Sequence, residues 1–205
     1  MSIVLGFDTS LTVSGCARVD LGVGDGGRVE ALRWETWRAR APQPIDDTVL
    51  GERRRIRHML REILALVPDF FDLAVVEGPA PGGKFSGKAD ERSGLRWMLI
   101  DQLCARGEVV LVDPQTRAVL ASSRGVRRRK NETATAAKHF VLDAVRLLVP
   151  GAHIPDHNVG DAVALAYAGA VALGVQADYS DEQSKAHAKV AWPVEAGVLA
   201  TEGMQ

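Results

Sequence analysis

The stretch Ile3-Val-Leu-Gly-Phe-Asp8 opens the chain with a short apolar run that ends in a carboxylate. Apolar and β-branched residues in such a run favour a buried β-strand. A second run, Thr12 to Val19, follows after only three residues, which is a spacing typical of a hairpin. A third run, Val29 to Arg38, alternates in polarity after a glycine-rich turn. The pattern predicts three successive antiparallel strands.

Helical and strand-like segments alternate in the rest of the chain. The apolar run Leu73-Ala-Val-Val ends at Glu77, and Val109 to Val112 is a second run of this kind. Helices are predicted over 46–67, 90–106, 116–120, 133–149 and 159–173. A meander followed by strand–helix–strand crossovers predicts an α/β fold. Its mixed sheet has three antiparallel strands, then parallel strands, and helices on both faces.

Length and composition are those of one globular domain. The chain has 205 residues, of which 46% are hydrophobic and 25% charged, so extensive disorder and a fibrous repeat are excluded. We assign residues 1–176 to the folded domain and 177–205 to a C-terminal tail, because periodicity is lost there. The 25 basic and 26 acidic residues give a net charge of −1, which argues against a uniformly basic surface but not against a local basic face.

Several features favour a cytoplasmic protein. Cys16 and Cys104 lie far apart and match neither a metal-ligand pair nor a disulfide framework. The first residues lack a basic segment followed by a long apolar run, so no signal peptide is predicted. The apolar stretch 162–175 is too short to span a bilayer, and we expect no membrane association.

Three carboxylates fall at the ends of predicted elements. Asp8 ends the first strand, Glu77 ends the fourth, and Asp161 opens the last helix. Asp8 could be an ordinary turn residue and Asp161 a helix-dipole partner, whereas an idle carboxylate at Glu77, directly after a buried strand, would be costly. Together at one sheet edge they would repel unless cations lay between them. Hard oxygen ligands suit Mg²⁺ or Mn²⁺, and a pair of such ions supports phosphodiester hydrolysis.

Basic residues concentrate in two places that suit phosphate contacts. Segment 117–138 has seven basic residues against one acidic residue, a charge of about +6: Arg117, Arg124, Arg127, Arg128, Arg129, Lys130 and Lys138 against Glu132. Lys84, Phe85 and Lys88 follow Glu77 in a Gly/Pro-rich loop and are also predicted to meet DNA. A third basic group, 53–61 on the first helix, is predicted to be a surface face or a dimer edge.

Three segments together resemble the RuvC family of Holliday-junction resolvases, most closely its bacteriophage and prophage members. They are Ile3-Val-Leu-Gly-Phe-Asp-Thr-Ser10, Leu73-Ala-Val-Val-Glu77 and His157-Asn-Val-Gly-Asp-Ala-Val-Ala-Leu-Ala166. The resemblance covers about residues 3–173 in order and spacing. It implies an RNase H-like fold, two Mg²⁺ or Mn²⁺ ions per site, and a homodimer that nicks symmetric strands of a four-way DNA junction.

The resemblance also implies roles for particular residues. Asp8, Glu77 and Asp161 match the family's metal-binding carboxylates, and Lys130 matches a lysine close to the metals. Three residues before its final aspartate the family carries an acid or a histidine. Here that position is Asn158, preceded by Asp156 and His157, and any of the three is a candidate for completing the site. Asn158 has an alternative interpretation as a helix N-cap.

One further departure concerns an aromatic residue that the family often places three residues after the glutamate. That position is Ala80 here, and Phe85 is the candidate substitute.

Two other functions compete with a junction endonuclease. A DNA-binding scaffold would follow if Asn158 in the metal site abolishes catalysis. The segment 6–10 also looks like the first phosphate loop of sugar kinases and related ATPases, although no second such loop is present in the sequence. Branched DNA, rather than a small molecule, is the substrate that the leading hypothesis predicts.

Overall fold

A five-stranded sheet lies at the centre of the protein. The computed structural model describes residues 1–24, 26–42, 48–79, 88–124 and 132–193. The strands are β1 (Ser2–Asp8), β2 (Val13–Val23), β3 (Val29–Arg40), β4 (Leu73–Glu77) and β5 (Glu108–Val112). The helices are α1 (Val49–Leu64), α2 (Ala89–Cys104), α3 (Pro114–Ser122), α4 (Ala134–Leu148), α5 (His157–Ala172) and α6 (Asp181–Ala188).

The strand order is β3-β2-β1-β4-β5, with β1 paired antiparallel to β2 and parallel to β4. The β2–β3 pair is antiparallel and the β4–β5 pair is parallel, which confirms the predicted mixed sheet. Phe7 lies beside Val76 in the β1–β4 register. Asp8 and Glu77, each one residue further on, therefore end their strands at the same edge of the sheet.

Alternate residues of β1 belong to two hydrophobic clusters, because successive side chains of a strand point to opposite faces. Leu5 and Phe7 pack with Met59 of α1 and Leu95 of α2 on one face. Val4 packs on the other face with α5 residues such as Val163. The prediction of helices on both faces is confirmed, and Asp8 and Glu77 share the α5 face by the same alternation.

Glycines in β1 and β2 let α5 lie directly against the sheet. A Cβ atom at Gly6 would lie 2.1 Å from the carbonyl oxygen of Ala162, and one at Gly15 would lie 1.9 Å from that of Asn158. No side chain fits at either position. The close contact fixes the first turn of α5 beside the end of β1, where Asp8 lies.

The segment that sequence periodicity assigned to a tail contains α6, which packs on α3. The Gln183 side chain donates a hydrogen bond to the Leu120 carbonyl oxygen at 2.7 Å. Tyr167 of α5 makes an edge-to-face contact with Tyr179, and His187 stacks on Trp192 with ring centroids 4.8 Å apart. Residues 194–205 lie outside the described part of the chain.

Helix caps account for the differences in helix boundaries. Asp113 caps α3, whose first residue is Pro114, so that α3 begins before the predicted 116. Asp156 caps α5, which begins at His157 rather than 159. Across the described residues, every helix is too short or too polar to span a bilayer.

Candidate functional site

Asp8 and Glu77 lie side by side at the ends of their strands and share a side-chain hydrogen bond. Asp8 is buried, and the exposed fraction of the Glu77 side chain is 17%. Burial, and then the negative charge of Glu77, raise the pKa of Asp8 to about 8. Asp8 therefore keeps its proton at neutral pH when no cation is bound.

Arg117 of α3 joins Glu77 to Asp161 of α5. Its Nε atom donates to Oε1 of Glu77 at 2.8 Å, and its Nη1 atom donates to Oδ1 of Asp161. All three side chains are less than one-fifth exposed. The structure thus brings the three predicted carboxylates together, and it places Arg117, predicted as a DNA contact, among them. We call Asp8, Glu77, Asp161 and Arg117 the acidic cluster.

The capped start of α3 delivers Arg117 to this edge. Asp113 follows β5 directly and accepts hydrogen bonds from the backbone N–H groups of Gln115 and Thr116 at 2.9 and 3.1 Å. Since β5 is parallel to β4, it ends at the same edge as Glu77. A helix that begins there carries Arg117, four residues after the cap, towards the carboxylates.

The start of α5 carries three further candidates, Asp156, His157 and Asn158. The Asp156 side chain accepts from the Val159 backbone N–H at 3.0 Å and pairs with Arg38 at 3.1 Å. Asp156, not Asn158, is therefore the N-cap, and the alternative interpretation of Asn158 is wrong. His157 and Asn158 line one cavity together with Asp8 and Asp161.

The electrostatics of His157 favour its neutral form. Burial, and then the positive charge of Lys138, lower the pKa of the imidazole, while Asp156 opposes them. A neutral imidazole is the form of histidine that ligates metals. His157 therefore stays a candidate ligand next to the acidic cluster.

A cavity of about 430 Å³ adjoins the acidic cluster. Besides residues of the acidic cluster, one face of α4 lines this cavity: Lys138, Val141, Leu142 and Val145. Sequence reasoning counted Lys138 among the basic residues but did not assign it to the site. Its spacing from the apolar residues, one turn before Val141 and Leu142, was the available signal. The charge of Lys138 acts on Asp8, whose pKa it lowers against the larger opposing effects.

The other predicted DNA contacts have varied surroundings. Arg124 lines the same cavity, pairs with both carboxylate oxygens of Glu132 at 2.8 and 3.0 Å, and lies 4.1 Å from the centroid of Phe140. Lys88 forms an ion pair with Glu52 of α1. The remaining predicted residues lie outside the described part of the chain: Lys84, Phe85, Arg127, Arg128, Arg129 and Lys130.

The carboxylates of the acidic cluster and the amide of Asn158 in the adjoining cavity fit a hard divalent cation, since carboxylate and amide oxygens are ligands that Mg²⁺ and Mn²⁺ prefer. Within the described ranges, however, no three His, Cys, Asp or Glu side chains already stand in a metal-binding arrangement. A proton on the Asp8–Glu77 pair and the Arg117 guanidinium offset the negative charge instead. Cation binding at this cluster requires that Asp8 lose its proton and Arg117 release its partners.

Comparisons with known proteins give similarity in structure only. Neither a scan of protein-family models nor a search of curated proteins gave a match. Among solved structures, Thermus thermophilus RuvC is similar with a TM-score of 0.50 and 18% identity, covering 80% of this chain and 90% of that one. The structure of T. thermophilus RuvC in complex with a Holliday junction substrate has a TM-score of 0.50 and 19% identity, covering 81% and 91%. The predicted resemblance is thereby confirmed at the level of architecture: this chain has the fold of RuvC.

Proposed function

We propose that the chain is a divalent-metal-dependent, structure-selective DNA endonuclease that nicks Holliday junctions and other branched DNA. The observation that carries this proposal is the convergence of Asp8, Glu77 and Asp161 at one sheet edge, beside a cavity lined by basic side chains. The RuvC fold supports it, because a solved RuvC structure contains a Holliday junction.

Asp8, Glu77 and Asp161 would hold two Mg²⁺ or Mn²⁺ ions, with Asn158 and His157 as further ligands. When bound, such ions supply Lewis-acid stabilisation of the charge that develops during in-line phosphodiester hydrolysis. The three carboxylates would hold the ions at the sheet edge, and their burial would limit the screening of this attraction by bulk water.

Basic side chains around the cavity would hold the DNA backbone. Lys138 and Arg124 line the cavity, and Arg117 becomes available for a phosphate once cations replace it between Glu77 and Asp161. Six further DNA contacts that the sequence predicts lie outside the described residues: Lys84, Phe85, Arg127, Arg128, Arg129 and Lys130. Lys88, at the start of α2, completes this set. Phosphate contacts of this kind fix register without reading sequence, as a structure-selective enzyme requires.

We propose a homodimer, because paired nicks require two active sites, and we expect it to act in the cytoplasm. Trp97 and Met98 of α2 are 61% and 40% exposed, and they are candidates for part of the dimer contact. Leu95 of the same helix is fully buried in the core and is not available for it. Two copies related by a two-fold axis would present two acidic clusters to symmetric strands of a junction.

Cleavage of synthetic DNA by the purified protein tests the proposal. In Mg²⁺ we expect paired symmetric nicks in a four-way junction and little cutting of a linear duplex. Asp8→Asn should abolish cutting and leave the affinity for the junction within about twofold of that of the wild type, because the carboxylate is needed for catalysis and not for DNA binding. The control Asp101→Asn removes an exposed carboxylate of α2 and should cut as the wild type does. Equal cleavage of junction and linear duplex would contradict the proposal.

A DNA-binding scaffold is the second candidate. The ion pairs of Arg117 with Glu77 and Asp161 favour it, because they occupy the carboxylates that a metal would need. Junction binding without cleavage in either Mg²⁺ or Mn²⁺ would identify a scaffold and exclude the nuclease.

A further inference from the structure

A second polar cavity, of about 290 Å³, lies against the turn between β1 and β2. Its lining comprises the turn residues together with basic side chains of α1 and α2: Thr9, Ser10, Leu11, Thr12, Arg55, Lys88 and Arg92. We call it the turn cavity. Three cationic groups and three hydroxyl groups therefore face one small space, and no carboxylate is among these described lining residues.

Arg55 gives the turn cavity a fixed positive charge. Sequence reasoning placed Arg55 on a surface face, but it is only 6% exposed. Its Nε atom donates to the Leu11 carbonyl oxygen at 3.0 Å, which ties α1 to the turn. Glu52 lies 3.9 Å from Arg55 and also pairs with Lys88, so these two cations share one carboxylate. A buried guanidinium that is only partly compensated favours an anionic ligand.

The turn itself is ordered by its own hydrogen bonds. The Ser10 backbone N–H donates to Oγ of Ser14 at 2.9 Å, and the Ser14 hydroxyl donates to the Ser10 carbonyl oxygen at 3.0 Å. The hydroxyl oxygens of Ser10 and Thr12 lie 3.2 Å apart. The hydroxyl donors are thus positioned before any ligand arrives, which lowers the entropic cost of binding.

Ser10 lines both the turn cavity and the larger cavity beside the acidic cluster. The two cavities are therefore neighbours on either side of Ser10, two residues beyond Asp8. A polyanion that passes over this edge of the sheet can place one charged group near Asp8 and another in the turn cavity. A nucleic-acid strand, with one phosphate per nucleotide, has this form.

We propose that the turn cavity binds a backbone phosphate of DNA adjacent to the phosphate held at the acidic cluster. This inference rests on the proposed function and adds a second phosphate subsite to it. Arg92, Lys88 and Arg55 supply charge, and the hydroxyl groups of Ser10 and Thr12 supply hydrogen bonds. A free phosphate or a nucleotide phosphate offers the same chemistry, and the phosphate-loop resemblance of residues 6–10 makes it the alternative source.

Neutral phosphates placed in the DNA test this subsite. We would substitute single methylphosphonates along a four-way junction and measure its affinity for full-length Asp8→Asn protein, alone or combined with Arg92→Gln or Arg96→Gln. Arg96 lies one turn further along α2 and does not line the turn cavity, so it is the matched control.

At one position near the branch, we expect the neutral linkage to weaken binding about tenfold in Asp8→Asn and in the Arg96→Gln combination. In the combination with Arg92→Gln, the neutral linkage at that position should cause no further loss of affinity. The slope of log affinity against log salt concentration should be smaller by about 1 in this variant. The subsite is overturned if Arg92→Gln shows the same losses as the control at every position.

Inorganic phosphate separates the two sources of the ligand. If phosphate, at matched ionic strength with chloride, stabilises the wild type but not Arg92→Gln, and the methylphosphonate scan is flat, the cavity holds a small anion and the DNA subsite is overturned. If the scan shows the Arg92-dependent position but no DNA is cut in Mg²⁺ or Mn²⁺, the subsite stands and the proposed nuclease fails.

Discussion

At the scale of single residues, Asp8 holds a proton that its environment does not allow it to lose easily. A second negative charge beside Glu77, away from water, is costly, and this cost keeps the carboxyl neutral. A divalent cation that binds the pair removes the cost by supplying the missing positive charge. The affinity of the acidic cluster for metal is therefore expected to rise with pH up to about 8.

The pH dependence of stability tests the state of Asp8. Its pKa is 3.8 when unperturbed and about 8 in the folded protein, so between these values the unfolded chain loses a proton that the folded protein keeps. The free energy of unfolding of the metal-free protein should then fall as pH rises from 4 to 8. Asp8→Asn removes this contribution, so at pH 8 its free energy of unfolding should exceed that of the wild type by about 5 kcal/mol.

Urea unfolding in EDTA at pH 5 and pH 8 measures this difference, with Asp101→Asn as the control. Parallel pH profiles for the wild type and Asp8→Asn would show that Asp8 does not carry the proton.

Arg117 occupies carboxylates that a cation would use, so its removal should favour metal binding. We expect Arg117→Gln to raise Mn²⁺ affinity roughly tenfold in calorimetric titrations, because the ion no longer displaces a guanidinium. The same variant should lower the free energy of unfolding of the metal-free protein, since Glu77 and Asp161 lose their partner. Arg96→Gln is the control, and weaker Mn²⁺ binding by Arg117→Gln would contradict this role.

Short side chains at element ends were predictable from the sequence, whereas long ones were not. Asp8 and Glu77 lie together because the strand register puts them at the same edge of the sheet and side-chain alternation puts them on the same face. Arg117 and Arg55 have several rotatable bonds, and their partners are set by packing between helices distant in sequence. No local pattern shows that one arginine enters an acidic cluster and another is buried beneath a turn.

At the scale of elements, the position of α5 depends on the absence of side chains in the strands beneath it. Ala162 and Asn158 contribute backbone atoms to this contact, and backbone atoms cannot rotate away as a side chain can. Asn158 lies in the first turn of α5, and Asp161 follows directly after that turn. The distance between helix and sheet therefore sets the geometry of the site.

Gly15→Ala should separate these elements. Its Cβ atom would lie 1.9 Å from the Asn158 carbonyl oxygen, so we expect a loss of about 3 kcal/mol in the free energy of unfolding. Gly94→Ala on α2 is the matched control, because nothing lies within 4 Å of its Cβ position. That control should gain about 0.5–1 kcal/mol from helix propensity. Equal stabilities of the two variants, measured by denaturant unfolding, would refute the close contact.

Element prediction succeeded where hydrophobic periodicity was strong and failed where it was weak. The apolar runs of β1 and β4 and the apolar stripe of α4 were sufficient to predict two strands and a helix. In α6 only Gln183 and Ala186 are buried, so periodicity could not reveal it. Its capping box, Ser180 with Gln183, was the available signal.

At the scale of the whole molecule, a net charge of −1 conceals a strongly basic segment and a cluster of carboxylates. Segment 117–138 is strongly basic, yet three of its described members, Arg117, Arg124 and Lys138, line the cavity beside the acidic cluster. Opposite charges thus adjoin one another at the carboxyl edge of the sheet. The overall charge could not indicate this arrangement, because it depends on the order of strands and not on composition.

The parallel β1–β4 pair and the seating of α5 on β1 also have a consequence for synthesis. Asp161 is synthesised more than 150 residues after Asp8. A growing chain therefore exposes β1 long before α5 can cover it, and the centre of the protein cannot fold until α5 has been made. A nascent chain that ends before Asp161 lacks one of the three carboxylates, so the metal-binding site that we propose cannot form until α5 has been synthesised.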